Sequence, residues 1–243
     1  MIWKLKNKQN IAFLKEKTYL CALKKFYMIS KSFKDWTTFD LEQTFGLQKQ
    51  APKDCAVLTD WLNVLDVVTD ERINFELEDI RADLTEYADI WNSKEKRGFF
   101  ISPILQLVRF KNAKYKLFYE RKLSVKRNDI DLKGDVDAMI GSGSYNKIIA
   151  PYYCMQEYKP ESRKSANDVR GQLLSEMLAA QTINGTDNPI YGSYLNGRFW
   201  FFATLIGNKY CFSNGFVADS PKGLAYIFNC LTKLKAIIDE KVK

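Results

Sequence analysis

Asp137, Glu157 and Lys159 have the types and spacing of a hydrolytic metal site. Asp137 lies in the run LKGDVDAMI (132–140), and Glu157 and Lys159 lie in YYCMQEYK (152–159). Read as strands, successive side chains alternate between faces. Leu132, Gly134, Val136, Ala138 and Ile140 then share an apolar face, with Asp135 and Asp137 opposite. The same rule puts Glu157 and Lys159 together. A hairpin with its tip near Asn146 and Lys147 sets Asp137 opposite Glu157. A tip at the earlier turn formers, Gly141 to Ser144, sets Asp137 nearer Pro151. The spacing alone leaves both registers open, with Asp135 the alternative ligand if the strand slips. Two carboxylates on neighbouring strands form a hard-oxygen site suited to Mg²⁺, with Mn²⁺ as a substitute. Such an ion lowers the pKa of a water and neutralises phosphate charge, while a lysine on the same face stabilises the transition state.

An acid-x-lysine triplet recurs by chance in a chain that is 27% charged, so the elements around it decide its weight. Ser93 is expected to cap a helix running toward Arg109, kinked near Pro103. Strand-like runs follow at Tyr115 to Val125, Leu132 to Ile140 and Tyr152 to Lys159. Ser165 to Ile183 reads as an amphipathic helix. Pro189 to Leu195 and Arg198 to Ile206 read as strands joined at Asn196-Gly197, a hairpin turn. Ser220-Pro221 opens a last helix. Upstream, Val57, Leu58, Trp61, Leu62 and Leu65 form one helical stripe after Pro52, and Ile73, Leu77, Ile80, Leu84 and Tyr87 another. Both are core stripes by spacing.

This order resembles the PD-(D/E)xK nuclease superfamily, whose core is αβββαβ. The likeness spans Ser93 to Ile206 and is similar to the nuclease domain of type I restriction subunits. There a helix carries a Glu before an FI-x-P-x-L run; here Glu95 precedes Phe100-Ile101-Ser102-Pro103-Ile104-Leu105. The resemblance maps the strand acid to Asp137, the paired acid and base to Glu157 and Lys159, and a helical glutamine to Gln172 in DVRGQLLSEM. Val136 stands where many members have proline. The resemblance implies an α/β (α+β), restriction-endonuclease-like fold, a mixed central sheet flanked by helices; the upstream stripes, which match no module of the family, add an N-terminal helical extension. The resemblance also implies a Mg²⁺-dependent endonuclease or exonuclease acting on nucleic acid, DNA before RNA, in restriction, defence or repair. Asp137 and Glu157 are then the metal ligands, and Arg163, Lys164 and Arg170 candidates for phosphate contact. A non-catalytic nucleic-acid-binding or assembly module on the same fold is the alternative. Plainer readings stand beside these: Glu157 and Lys159 as a surface ion pair worth at most ~1 kcal/mol, Glu95 as a first-turn acid, Gln172 as helix surface.

Composition narrows the field. The 243 residues contain no histidine, which excludes Ser-His-Asp and Cys-His hydrolysis and histidine-ligated zinc. Five cysteines without CxxC spacing suggest reduced thiols in a cytoplasm. No run approaches the roughly 18 apolar residues of a membrane span. Of the net +8, residues 1–27 carry most, with seven lysines and one glutamate. They read as a basic, disordered leader, ahead of a helical extension at 28–92 and a nuclease-like domain at 93–243. No GxxxxGK[ST] occurs, so translocation needs a partner subunit carrying a motor or specificity function. A homodimer would place two sites on a duplex.

Overall fold

A computed structural model describes residues 29–144, 147–159 and 168–243, with backbone alone for Ile29, Ser144 and Lys159. The basic leader expected at residues 1–27 lies outside the described residues. In chain order the elements are β1 (Ile29–Ser32), α1 (Thr38–Phe45), β2 (Gln48–Lys49), α2 (Ala56–Leu62), α3 (Glu71–Tyr87), α4 (Ser93–Lys96), α5 (Ser102–Val108), β3 (Tyr115–Arg127), β4 (Ile130–Ser144) and β5 (Lys147–Lys159). Then follow α6 (Val169–Asn184), β6 (Ile190–Asn196), β7 (Phe199–Ile206), β8 (Lys209–Phe212), β9 (Phe216–Val217) and α7 (Pro221–Lys241).

Among the described residues the strands form one mixed nine-stranded sheet in the order β1-β4-β5-β6-β7-β8-β2, with β3 also on β4 and β9 on β7. From Ser93 to Asn196 the order is helix, three antiparallel strands, a crossover helix and a strand parallel to β5. Each face of the sheet is covered. On one side Trp61, Leu77, Leu84, Ile104 and Leu231 of the α2, α3, α5 and α7 layer, with Phe100 of the turn before α5, pack against Ile140, Trp200 and Phe202. On the other, Leu173, Leu174, Met177 and Leu178 of α6 pack with Phe33, Trp36 and Leu41 against Val136, Met139 and Met155. α6 is buried from Gly171 to Gln181 because the segment after β1 lies across it. A Cβ at Gly171 would sit 2.2 Å from the Trp36 carbonyl oxygen, so the absence of a side chain is what lets the two backbones approach.

The N-terminal extension is not helical throughout. β1 pairs in parallel with β4, and β2 in parallel with β8; strands of two to four residues are too short to show alternation. Leu65 lies past the end of α2 and is 69% exposed. The helix cap is Asn92, not Ser93: its side chain accepts from Lys94 and Glu95 N–H, and Glu95 bonds back to the Asn92 N–H, a capping box. The expected kink at Pro103 is met earlier by a π-helical turn, Arg97–Ile101, in which the Ser102 N–H reaches back to Arg97. Widening the turn there fits a ring that cannot follow a regular α-helical ladder. α6 begins after Asp168, whose side chain accepts from the Arg170 N–H; the Ser165 start lies outside the described residues. Among the described residues no helix is long and apolar enough to cross a membrane.

Candidate active site at a fork in the sheet

β4 changes partner along its length. Near the hairpin Ser144 pairs with Lys147 and Ser142 with Ile149. Continued unchanged, that register would set Asp137 opposite Cys154. Bulges between Ile140 and Ser142 admit three extra residues of β5, so that Ile140 pairs with Cys154 and Ala138 with Gln156. Asp137 and Glu157 are the next in line. There the ladder stops: β5 goes on beside β6, through Glu157↔Tyr194 to Lys159↔Asn196. The far half of β4 takes β1 instead, from Ile130 to Lys133. The two strands part as a fork with Asp137 and Glu157 at its crotch. The Asp137 carboxylate spans the opening, accepting the Tyr158 N–H at 3.0 Å.

The expected single apolar face of 132–140 is corrected at the same place. Leu132 and Val136 pack on the α6 side, but Ala138 and Ile140 pack on the opposite side, and Met139 takes the α6 side. Alternation breaks at Asp137. Its cause lies across the ladder, where Tyr119↔Ala138 and Arg121↔Val136 are paired and Glu120 between them has φ 49°. A left-handed conformation in a non-glycine strand residue is strained by about 1–3 kcal/mol, and such strain clusters at functional sites. The Glu120 carboxylate is tied to Arg97 at 2.7 Å. With Ser93, Lys94, Arg97, Glu120 and Tyr158, Asp137 lines a pocket of about 240 Å³. Asp135, on the solvent side of the break, is exposed.

Glu157 is 1% exposed, and α6 supplies what lies above it. Gln172 is 5% exposed and donates through Nε2 to Glu176 at 3.2 Å. Glu176, fully buried, was not anticipated from the sequence. Its carboxyl is held well above the usual range by burial first, then by the Glu157 charge, a hydrogen bond shared with Glu157 and the Asp137 charge; only the Gln172 bond opposes this. One sequence signal could have found it: an acid four residues after Gln172, inside an otherwise apolar helical run. Tyr158 is held protonated, by burial first and then by Tyr119, Asp137 and other neighbours, and its hydroxyl donates to Gln156.

The remaining candidates are distributed as follows. Lys159 ends β5, two residues beyond Glu157 and paired with Asn196. Glu95 is committed to its capping box, with Oε2 2.8 Å from the Asn92 nitrogen, and does not line the Asp137 pocket. Arg170 donates to the Tyr194 hydroxyl at 2.7 Å and stacks 5.7 Å from the Phe201 and Phe212 rings. Its guanidinium is used in the fold. Arg163 and Lys164 lie outside the described residues. Among the described residues no three His, Cys, Asp or Glu side chains converge into a ready-made metal centre. The donors at the fork are nonetheless all oxygen, and crowded carboxyls are what a hard cation relieves. Mg²⁺ commonly takes one or two protein carboxylates and keeps several waters, so Asp137 and Glu157 fit it in kind. A larger groove along α3 is lined by Asp70, Glu76, Asp79 and Asp83 and holds none of these residues. Its charge is wrong for phosphate.

No protein-family model matches the chain, and no curated protein is significantly similar to it in sequence.

Proposed function

We propose that this chain is a metal-dependent nuclease of the PD-(D/E)xK type, hydrolysing phosphodiester bonds in nucleic acid, with DNA as the first substrate to test. The observation that carries the reading is the fork: two bulges and a change of strand partner bring Asp137 into line with Glu157. The helix, three-strand, helix, strand order around it is the one the restriction-endonuclease-like resemblance requires.

In this reading Asp137 and Glu157 hold Mg²⁺ or Mn²⁺. When bound, the ion supplies Lewis acidity at the scissile phosphate. Asp137 serves twice, since the bond from the Tyr158 N–H fixes the carboxylate and the same residue lines the pocket. Lys159 is assigned the charge that develops on the phosphate in the transition state, and Gln172 the orientation of the groups beneath it. Protein side chains also screen the site: burial of Glu157 and Glu176 keeps bulk water from the α6 side.

The test is incubation of the purified chain with plasmid and single-stranded DNA in Mg²⁺, Mn²⁺ or EDTA. Cleavage in either metal and none in EDTA is expected. Lys159→Ala should cut ~10²–10³ slower with metal affinity kept, the scale of one lost electrostatic contact. A chain that binds DNA yet never cuts it in any divalent metal would establish the second reading, a binding or assembly module on the same fold.

A further inference from the structure

We propose that the acidic groove along α3 is the docking site of this chain's own basic leader, residues 1–27. The proposal does not depend on the nuclease reading. Between Asp70 and Asp89 the chain carries eight acids and two arginines, net −6, while the leader carries seven lysines and one glutamate, net +6. Of those acids, Glu78 is paired with Arg81 and Asp89 with Arg198, and Asp70 caps the helix. Glu76, Asp79 and Asp83 are exposed, line the groove and enter no ion pair among the described residues. They follow one another at spacings of three and four, where like charges destabilise a helix. A cationic segment laid along them relieves that repulsion. Arg72 and Arg109 also line the groove but leave the acids in excess. The groove is more than a solvated charged face. It holds about 700 Å³, with Ile73, Phe99 and Leu107 in its walls. Through Asp70 and Ile73 it joins an apolar hollow of about 470 Å³ at Val64, Leu65, Val67 and Phe228. An occupant that fits must bring cations and apolar side chains together. The leader does so, with Trp3, Leu5, Phe13, Leu14 and Leu20 set among its lysines. Reach is not limiting. A segment of this length spans up to roughly 90 Å, against a radius of gyration of about 18 Å for a domain of this size. Tethering presents the segment at an effective concentration on the order of millimolar, so millimolar intrinsic affinity half-fills the groove.

The test places a nitroxide on Cys21 of the full chain, since Cys55, Cys154, Cys211 and Cys230 are buried. Paramagnetic broadening of backbone amide signals then reports where the leader lies. At low salt the amides of α3 and of Phe99 should broaden. In 1 M salt, where charges are screened beyond about 3 Å, the broadening should fade. The triple variant Glu76→Lys, Asp79→Lys, Asp83→Lys should lower the docked population about tenfold, the scale of a few exposed ion pairs lost. Lys8→Glu, Lys15→Glu and Lys17→Glu should do the same with the groove untouched, which keeps the test valid if the α3 variant does not fold. Joining the two sets restores the charge match and should restore much of the broadening. Unbroadened α3 signals at low salt overturn the proposal. So does broadening that survives either charge reversal. A mixture of spin-labelled chain and unlabelled, isotope-enriched chain separates the remaining case. Broadening that passes to the unlabelled copy would make the groove a contact between copies and overturn docking within one chain; its absence there supports it.

Discussion

Asp137 has a structural and a chemical task, and two substitutions separate them. Asp137→Asn keeps an oxygen for the Tyr158 N–H but removes the charge. Asp137→Ala removes both. The lost bond now spans 3.0 Å to a carboxylate. A hydrogen bond to a charged group contributes about 1.5–3 kcal/mol and a neutral one about 0.5–1.5, so the asparagine should cost about 1 kcal/mol. An amide left without a partner costs about 1–3 kcal/mol. Because a pocket opens beside Asp137, water can take the carboxylate's place, which puts the alanine at about 1–2 kcal/mol. At about 2–4 °C per kcal/mol for a domain of this size, the alanine should melt about 2–8 °C lower and the asparagine about 2–4 °C lower. Metal affinity and cleavage should fall in both, alike. Melting by circular dichroism and Mn²⁺ calorimetry on the same preparations check this. An asparagine variant that binds metal and cuts at the wild-type rate would refute the ligand role. An alanine variant that melts with wild type would refute the bond's part in holding the fork.

Gly171→Ala sets helix propensity, a gain of about 0.5–1 kcal/mol, against a Cβ placed 2.2 Å from Trp36 O and 2.6 Å from Thr37 Cα. Those are backbone atoms that cannot rotate away, so overpacking of about 1–3 kcal/mol should win and the melting temperature fall; a rise would show that the overlying segment yields. Trp61→Phe should cost about 1–3 kcal/mol in chemical denaturation, because Trp61 Nε1 donates to the Cys230 carbonyl at 2.8 Å from a fully buried position. Asp40 is held below its ordinary 3.8, mainly by its bond from Lys31. Its contribution is thus present above that value and lost as pH falls through the lower folded one. Asp40→Asn should therefore lower stability at neutral pH, by under ~1 kcal/mol for so exposed a pair, and converge on wild type as pH falls well below about 4, which flattens the acid side of its stability profile.

The long helices were legible because each buries one stripe. In α3, Leu77, Ile80 and Leu84 are buried as their spacing required, and in α7 Leu224, Ile227, Leu231 and Leu234 are. Strand existence was legible from alternation and turn residues. Register was not, because it depends on bulges at Ile140 to Ser142, and a bulge has no fixed composition. The switch of face at Asp137 was hidden for a related reason. It follows from the backbone of Glu120 on the neighbouring strand, which no pattern within 132–140 records. Glu176 was visible as a charge in an apolar run, but helix periodicity counts only the apolar positions and passes over such a residue. The short strands β1 and β2 carry too few residues for any period to emerge.

The stretch from Ile29 to Lys49 meets the sheet at both ends of its strand path, beside β4 through β1 and beside β8 through β2, and crosses α6 between them. Each end covers hydrogen-bonding groups that an exposed edge would offer to other chains. The order of synthesis makes this a matter of timing. Ile29 cannot find its partner until Ile130 has been made, and Gln48 must wait for Lys209. What leaves the ribosome early is therefore placed late, and until it is placed two raw edges remain open to neighbouring chains. Assembly intermediates of this chain should be most prone to self-association in that interval, and a chaperone that shields strand edges would act there.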